Sequence, residues 1–191
     1  QLVGPIPMLA NVAKGAGTFP LPKLDVAVHE FWAFKRSVEY APTTPVMALQ
    51  IHAQKAYPHF LQLLADAGLD TGGNLPKHIE ITDRTPEIRS LMMKLRQLVA
   101  PLDNVEDIIS RIPALGLDST TAKLVRALAI LYSGEDQRYL NFYGPPGTIT
   151  TIPYHSLFET SEGDSERKLP SLEGKVVFVG YSDLYDPSQP D

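Results

Sequence analysis

Apolar residues recur every three or four positions in two long stretches of the chain, and these stretches define its most regular elements. Behind a Thr85-Pro86 pair that suits a helix start, Ile88, Leu91, Met92, Leu95, Leu98 and Val99 fall on one face. Further on, Leu124, Val125, Leu128, Leu131 and Tyr132 repeat that spacing, with Ser119 or Asp118 as the cap and Gly134 as the stop. Shorter helices are predicted over 5–16 (Ile6, Leu9, Ala10, Ala13), over 44–54 with Thr44 as cap and Pro45 at the first helical position, and over 58–68, closing at Gly68.

Elsewhere the pattern changes to that of strands. Residues 24–36 alternate, with Val26, Val28, Glu30, Trp32 and Phe34 on one face and Phe31 intruding on the other. Short strands are predicted at 78–82, 138–144 and 148–154, and the apolar β-branched run 174–180 reads as a strand buried on both faces. Strands alternating with helices predict an α/β fold with a mixed, partly parallel sheet and helices packed on its faces. No repeat or long linker divides residues 1–191, so one domain is expected, with 160–171 as a flexible surface loop.

Composition narrows the function classes. The 191 residues are 43% hydrophobic and 20% charged, enough for a core, and the net charge of -5 comes with scattered basic residues. Nucleic-acid binding, which needs a concentrated basic surface, is not expected. Without cysteine there is no disulfide, thiolate metal site or cysteine nucleophile. No apolar run reaches the roughly 18 residues of a membrane helix. The start, Gln1-Leu2-Val3-Gly4-Pro5, is neither an initiator nor a signal sequence, and the chain reads as an excised piece of a larger protein.

Two motifs resemble catalytic loops and fail on inspection. In "NFYGPPGTITT", 141–151, a phosphate-binding loop counted from Gly144 would need Gly where Ile149 stands and Lys where Thr150 stands; only Thr151 fits. A rigid turn between strands is the expectation. In "VFVGYSDL", 177–184, Ser182 follows a strand as in a nucleophile elbow, but Leu184 replaces the second Gly and no His follows.

The histidines, His29, His52, His59, His78 and His155, form no metal-binding pair by spacing, and Pro58 is expected to break any helix shared by His52 and His59. No metal or cofactor is expected. Ligands in open α/β sheets sit beyond the carboxyl ends of strands. That rule puts Asp183 where a ligand could bind, tyrosines near such a crevice can serve recognition, and the candidate ligand-binding residues are Tyr143, Thr148, Tyr154, His155 and Asp183.

Three segments in order, "APTTPVMALQIHAQ", "RYLNFYGPPGTITTIPYHSLFE" and "LEGKVVFVGYSDLYD", resemble the type-two CHASE domain, an extracytoplasmic sensory module of bacterial signalling proteins. The signature positions carried over are Asn141, Gly144, Pro145, Gly174, Lys175, Gly180 and Asp186, supported by Tyr143, Thr148, Pro153 and Tyr154. The opening Asp-containing segment and Phe-Asp strand of that family have no counterpart here, so the domain is expected to be incomplete at its N-terminus. The resemblance implies a non-catalytic input domain for a small-molecule or environmental signal, outside the cytoplasm. It also implies membrane helices, a cytoplasmic cyclase, histidine kinase or Ser/Thr kinase output in the same chain, and a homodimer as one candidate partner. The alternatives are an enzyme with a cleft near Tyr143, His155 and Asp183, or an exported binding module without signalling output.

Overall fold

The computed structural model describes residues 17, 29–69, 71, 75–76, 85–102, 104–140, 144–145, 148–153, 156, 171–173, 175 and 177–179. Its elements are β1 (Glu30–Trp32), β2 (Phe34–Lys35), β3 (Ala41–Pro42), α1 (Thr44–His52), α2 (Tyr57–Asp66), α3 (Thr85–Val99), α4 (Val105–Ile109), α5 (Ser119–Tyr132) and β4 (Gln137–Tyr139). The chain divides into two compact units, Gln1–Asn141 and Phe142–Asp191. Helices and strands are both present, as expected. Both sheets among the described residues are two-stranded and antiparallel, with no parallel pairing.

Of the long strand predicted over 24–36, residues 24–28 lie outside the described residues and the remainder is divided at Ala33. Before that point β1 pairs with β4, Trp32 opposite Gln137; after it β2 pairs with β3, Phe34 opposite Pro42. The amides of Ala33 and Phe34 both donate to the Asp136 carbonyl, at 2.7 and 3.4 Å, so two residues oppose one, as in a β-bulge. This offset lets the consecutive residues Ala33 and Phe34 both be fully buried, which strict alternation forbids.

Thr43 secures the change of partner. Its amide donates to the Ala33 carbonyl at 3.2 Å and its hydroxyl to the Trp32 carbonyl at 2.6 Å. It also occupies the cap position of α1, one residue before the Thr44 expected there, and gives α1 no side-chain cap bond. The Thr44 hydroxyl is committed elsewhere, to the Gly17 carbonyl at 2.8 Å.

The core is helical. α1 stops at His52, and a 3₁₀ turn over Gln54–Ala56 leads to α2, which has Pro58 in its first turn, so the break between His52 and His59 is as predicted. Tyr57, Phe60, Leu63 and Leu64 of α2 meet Val125, Leu128, Leu131 and Tyr132 of α5 and Met92, Leu95 and Val99 of α3 in one buried cluster. The Tyr132 ring lies 5.8 Å from those of both Phe34 and Phe60, joining the β2 strand to the helices. Each such side chain contributes roughly 1.5–3 kcal/mol on burial.

α4 and the following 3₁₀ turn, Ile112–Leu115, were not expected from the pattern; they add Ile108 and Ile112 to the core. The Asn104 side chain caps α4 by accepting from the Glu106 amide at 3.1 Å. Asp118, rather than Ser119, caps α5, accepting from the amides of Thr120 at 2.9 Å and Thr121 at 3.1 Å.

In the second unit Gly144 has φ of +139°, and a Cβ there would meet the Thr148 hydroxyl at 2.8 Å, so only glycine fits this turn. The Thr148 amide and hydroxyl both donate to the Pro145 carbonyl, at 3.1 and 2.7 Å. The strand predicted over 148–154 is absent from the described residues 148–153. Local hydroxyl-to-carbonyl bonds by Thr148 and Thr151 compete with a ladder, and Pro153 has no amide to give one.

Lys175 and Val177, Phe178 and Val179 likewise lie outside any strand, with Phe178 and Val179 76% and 78% exposed, contrary to the buried strand expected at 174–180. An apolar β-branched run is held as a strand only by neighbours on its edges, and no described residue pairs with this one. The predicted helix 5–16 and strand 78–82, and residues 160–170 of the predicted loop, lie outside the described residues.

Candidate functional site

Arg96 stands on α3 among the apolar positions Met92, Leu95 and Val99, and its side chain is only 3% exposed. A buried guanidinium requires acceptors on all sides. They come from the end of α5 and the start of β4: Nη2 and Nε donate to Asp136 Oδ1 at 2.8 and 3.2 Å, Nη1 to the Tyr132 carbonyl at 2.7 Å, and Nη2 to the Gly134 carbonyl at 2.5 Å. The Phe34 ring closes the remaining side, 5.2 Å from the guanidinium carbon.

Arg138 completes the capping of the same helix end. Its Nη2 donates to the carbonyls of Ile130, Leu131 and Ser133 at 2.9, 2.9 and 2.6 Å, and its Nε to that of Glu135 at 3.3 Å. Two arginines thus satisfy the carbonyls left open where α5 ends, with positive charge at the negative end of the helix dipole. Burial, and then the nearby Arg96 charge, lower the Arg138 pKa, with Asp136 acting in the opposite sense.

Asp136 is the node of this arrangement. Its backbone carbonyl serves Ala33 and Phe34, Oδ1 receives Arg96, and Oδ2 receives Arg36 Nε at 3.2 Å. The two arginines differ in setting, since the Arg36 side chain is 74% exposed and the Asp136 side chain 7%. Arg36 also lies 5.8 Å over the Tyr40 ring, in a turn where Glu39 and Tyr40 both take left-handed φ, 53° and 61°. Non-glycine residues adopt that conformation at a cost, and two in succession mark a turn held by its surroundings.

Beside this node a groove of about 680 Å³ opens between the 35–37 turn and the 135–137 segment, lined by Trp32, Lys35, Arg36, Ser37, Glu135, Asp136 and Gln137. Its volume is that of small-molecule sites. Gln137 is fixed there by donating to the Glu30 carboxylate. None of these residues was singled out as a site residue from sequence. The signal that could have found them is Arg96, a cation set between the apolar positions Leu95 and Val99 of α3, which required a buried acidic partner.

Buried polar chemistry also occurs deeper in the same unit. The Tyr132 hydroxyl donates to Gln50 Oε1 at 2.6 Å, and Gln50 Nε2 has no partner among the described residues. Tyr57 donates to the Pro76 carbonyl at 2.9 Å. Burial raises the pKa of both phenols, so both are neutral donors at physiological pH.

Of the five candidate ligand-binding residues, Thr148 is described: it is exposed and its hydroxyl closes the turn on Pro145. Tyr143, Tyr154, His155 and Asp183 lie outside the described residues, as do the signature positions Asn141, Gly174, Gly180 and Asp186. Gly144 and Pro145 are in the tight turn, and Lys175 is exposed, its amide donating to the Leu172 carbonyl at 3.1 Å. No helix starts within the described residues 148–153. Among the described residues no cluster of His, Asp and Glu is placed to hold a metal ion, and no helix is long and apolar enough to cross a membrane. No protein-family model, curated protein or solved structure matches the chain.

Proposed function

We propose that this chain is the extracytoplasmic input domain of a membrane-anchored bacterial signalling protein whose output is a nucleotide cyclase, histidine kinase or Ser/Thr kinase. The observation that carries the reading is the succession of sequence motifs from Asn141 to Asp186: Gly144-Pro145, Pro153-Tyr154 and the Gly-Lys-Val-Val-Phe-Val-Gly run. The reading brings with it the partly parallel sheet implied by alternating strands and helices, alongside the two antiparallel pairs.

The arrangement around Asp136 supports it. One wall of the groove is the residue on which α3, the end of α5 and the first strand pair converge. A ligand that binds one arrangement of this node better than another biases three elements at once, by no more than its differential affinity. Asp136 and Gln137 on the lining are engaged in holding the fold, which suits recognition rather than bond breaking. No cofactor is required.

Membranes from cells making the full-length protein provide the test, assayed for cyclic-nucleotide formation and autophosphorylation. The expected result is a membrane-bound activity that changes when Asp136→Asn is introduced in this chain. A soluble full-length protein, or a membrane-bound one with neither activity, overturns the proposal.

A further inference from the structure

We infer that the groove beside Asp136 binds a small monocarboxylate with a flat apolar body, the carboxylate on Arg36 and Lys35 and the body against Trp32; as a statement about sensing, this rests on the function proposed above. The charges decide the sign of the ligand. Asp136 is already compensated from behind by the buried Arg96, which leaves Lys35 and Arg36 against Glu135, one net positive charge on the lining.

The donors decide its shape. Arg36 uses Nε on Asp136, and its two terminal nitrogens hydrogen-bond to no described residue; neither does the Lys35 ammonium. Held through Nε and over the Tyr40 ring, the guanidinium is pre-oriented, and its free edge suits a carboxylate, which accepts two parallel bonds. Half-buried Trp32 supplies the apolar surface in the same groove. The left-handed Glu39-Tyr40 turn fixes the segment that carries both cations, so little ordering is left for binding to impose.

Isothermal titration of the 191-residue chain with phenylacetate, and separately with phenethylamine, tests this directly. Phenylacetate should bind saturably, at least about tenfold more tightly than phenethylamine, and lose about tenfold or more in Arg36→Gln and in Trp32→Ala. Arg36 is largely exposed, so Arg36→Gln is expected to fold as the parent does. Absent binding, a preference for the amine, or affinity unchanged in Arg36→Gln overturns the inference. Binding that depends on Arg36 but leaves the output of the full-length protein unchanged upholds the inference and overturns the sensory function. An output that responds to other compounds, with no phenylacetate binding, does the reverse.

Discussion

Arg96 and Asp136 lie 40 residues apart in the chain and 2.8 Å apart in the fold, with both side chains almost wholly excluded from water. Through this pair α3 is bound to the junction between α5 and β4, and the junction in turn to the bulge at Ala33. The pair holds its place because each of the three guanidinium nitrogens of Arg96 donates to a carboxylate or carbonyl oxygen, which a lysine could not reproduce.

Breaking the pair should therefore be expensive. Arg96→Met leaves a buried carboxylate with only the exposed Arg36, and should cost about 3–5 kcal/mol in urea unfolding. Arg36→Ala removes the exposed partner of the same carboxylate and should cost less than about 1 kcal/mol. Equal losses from the two substitutions would contradict the assignment of Arg96 as the structural partner.

The Tyr132–Gln50 bond makes a second, asymmetric prediction. Tyr132→Phe strands both ends of a buried amide whose Nε2 already has no partner among the described residues, and should cost about 1–3 kcal/mol. Adding Gln50→Leu removes the stranded groups and should restore most of that loss. A double variant no more stable than Tyr132→Phe alone would show that the amide is satisfied in another way.

Asp118 predicts a dependence on pH. Its carboxyl accepts from the Thr121 hydroxyl and then from the Thr121 and Thr120 amides, and these bonds lower its pKa. A group lowered in the folded state contributes fully above its unfolded value, about 3.9, and loses that contribution as pH falls through the folded value. Asp118→Asn keeps an acceptor without the charge. The difference in Tm between parent and variant should shrink as pH is lowered from about 6 to about 2; a constant difference would argue against the charge as the source.

The turn at Gly144 should resist conversion into a nucleotide site. Thr150→Lys supplies the missing lysine but no helix amides, so titration with ATP should give no measurable binding. Saturable binding by that variant would mean that this loop can cradle phosphate. Gly144→Ala, by contrast, should disturb the backbone signals of 144–148 in NMR spectra, since its Cβ would press on the Thr148 hydroxyl.

Local periodicity was enough to find α2, α3 and α5, because each buries one continuous stripe behind its own start signal. It did not reveal α4, whose five residues are too short for a repeat and gain their place from Ile108 meeting the core. Alternation identified the strand around Trp32 but not its division. The bulge is imposed by the Asp136 carbonyl, which lies far along the chain. The same distance hid the Arg96–Asp136 pair and the groove.

Runs 148–154 and 174–180 have strand composition, yet composition gives only willingness to pair. In the described residues Thr148 and Thr151 bond locally, and Val177 to Val179 find no neighbouring edge. Of the candidate site, the Gly144 turn was legible because its glycine and prolines act locally. The groove residues were not, because their chemistry depends on which side chains already hold partners.

The most direct test of the sensory account is the side of the membrane on which this chain stands in the full-length protein. Reporter enzymes inserted into the 160–171 segment, which suits insertion by its polar composition, read that side in intact cells. The account predicts high alkaline phosphatase and negligible β-galactosidase activity. Active β-galactosidase with inactive phosphatase would place the chain in the cytoplasm and contradict it.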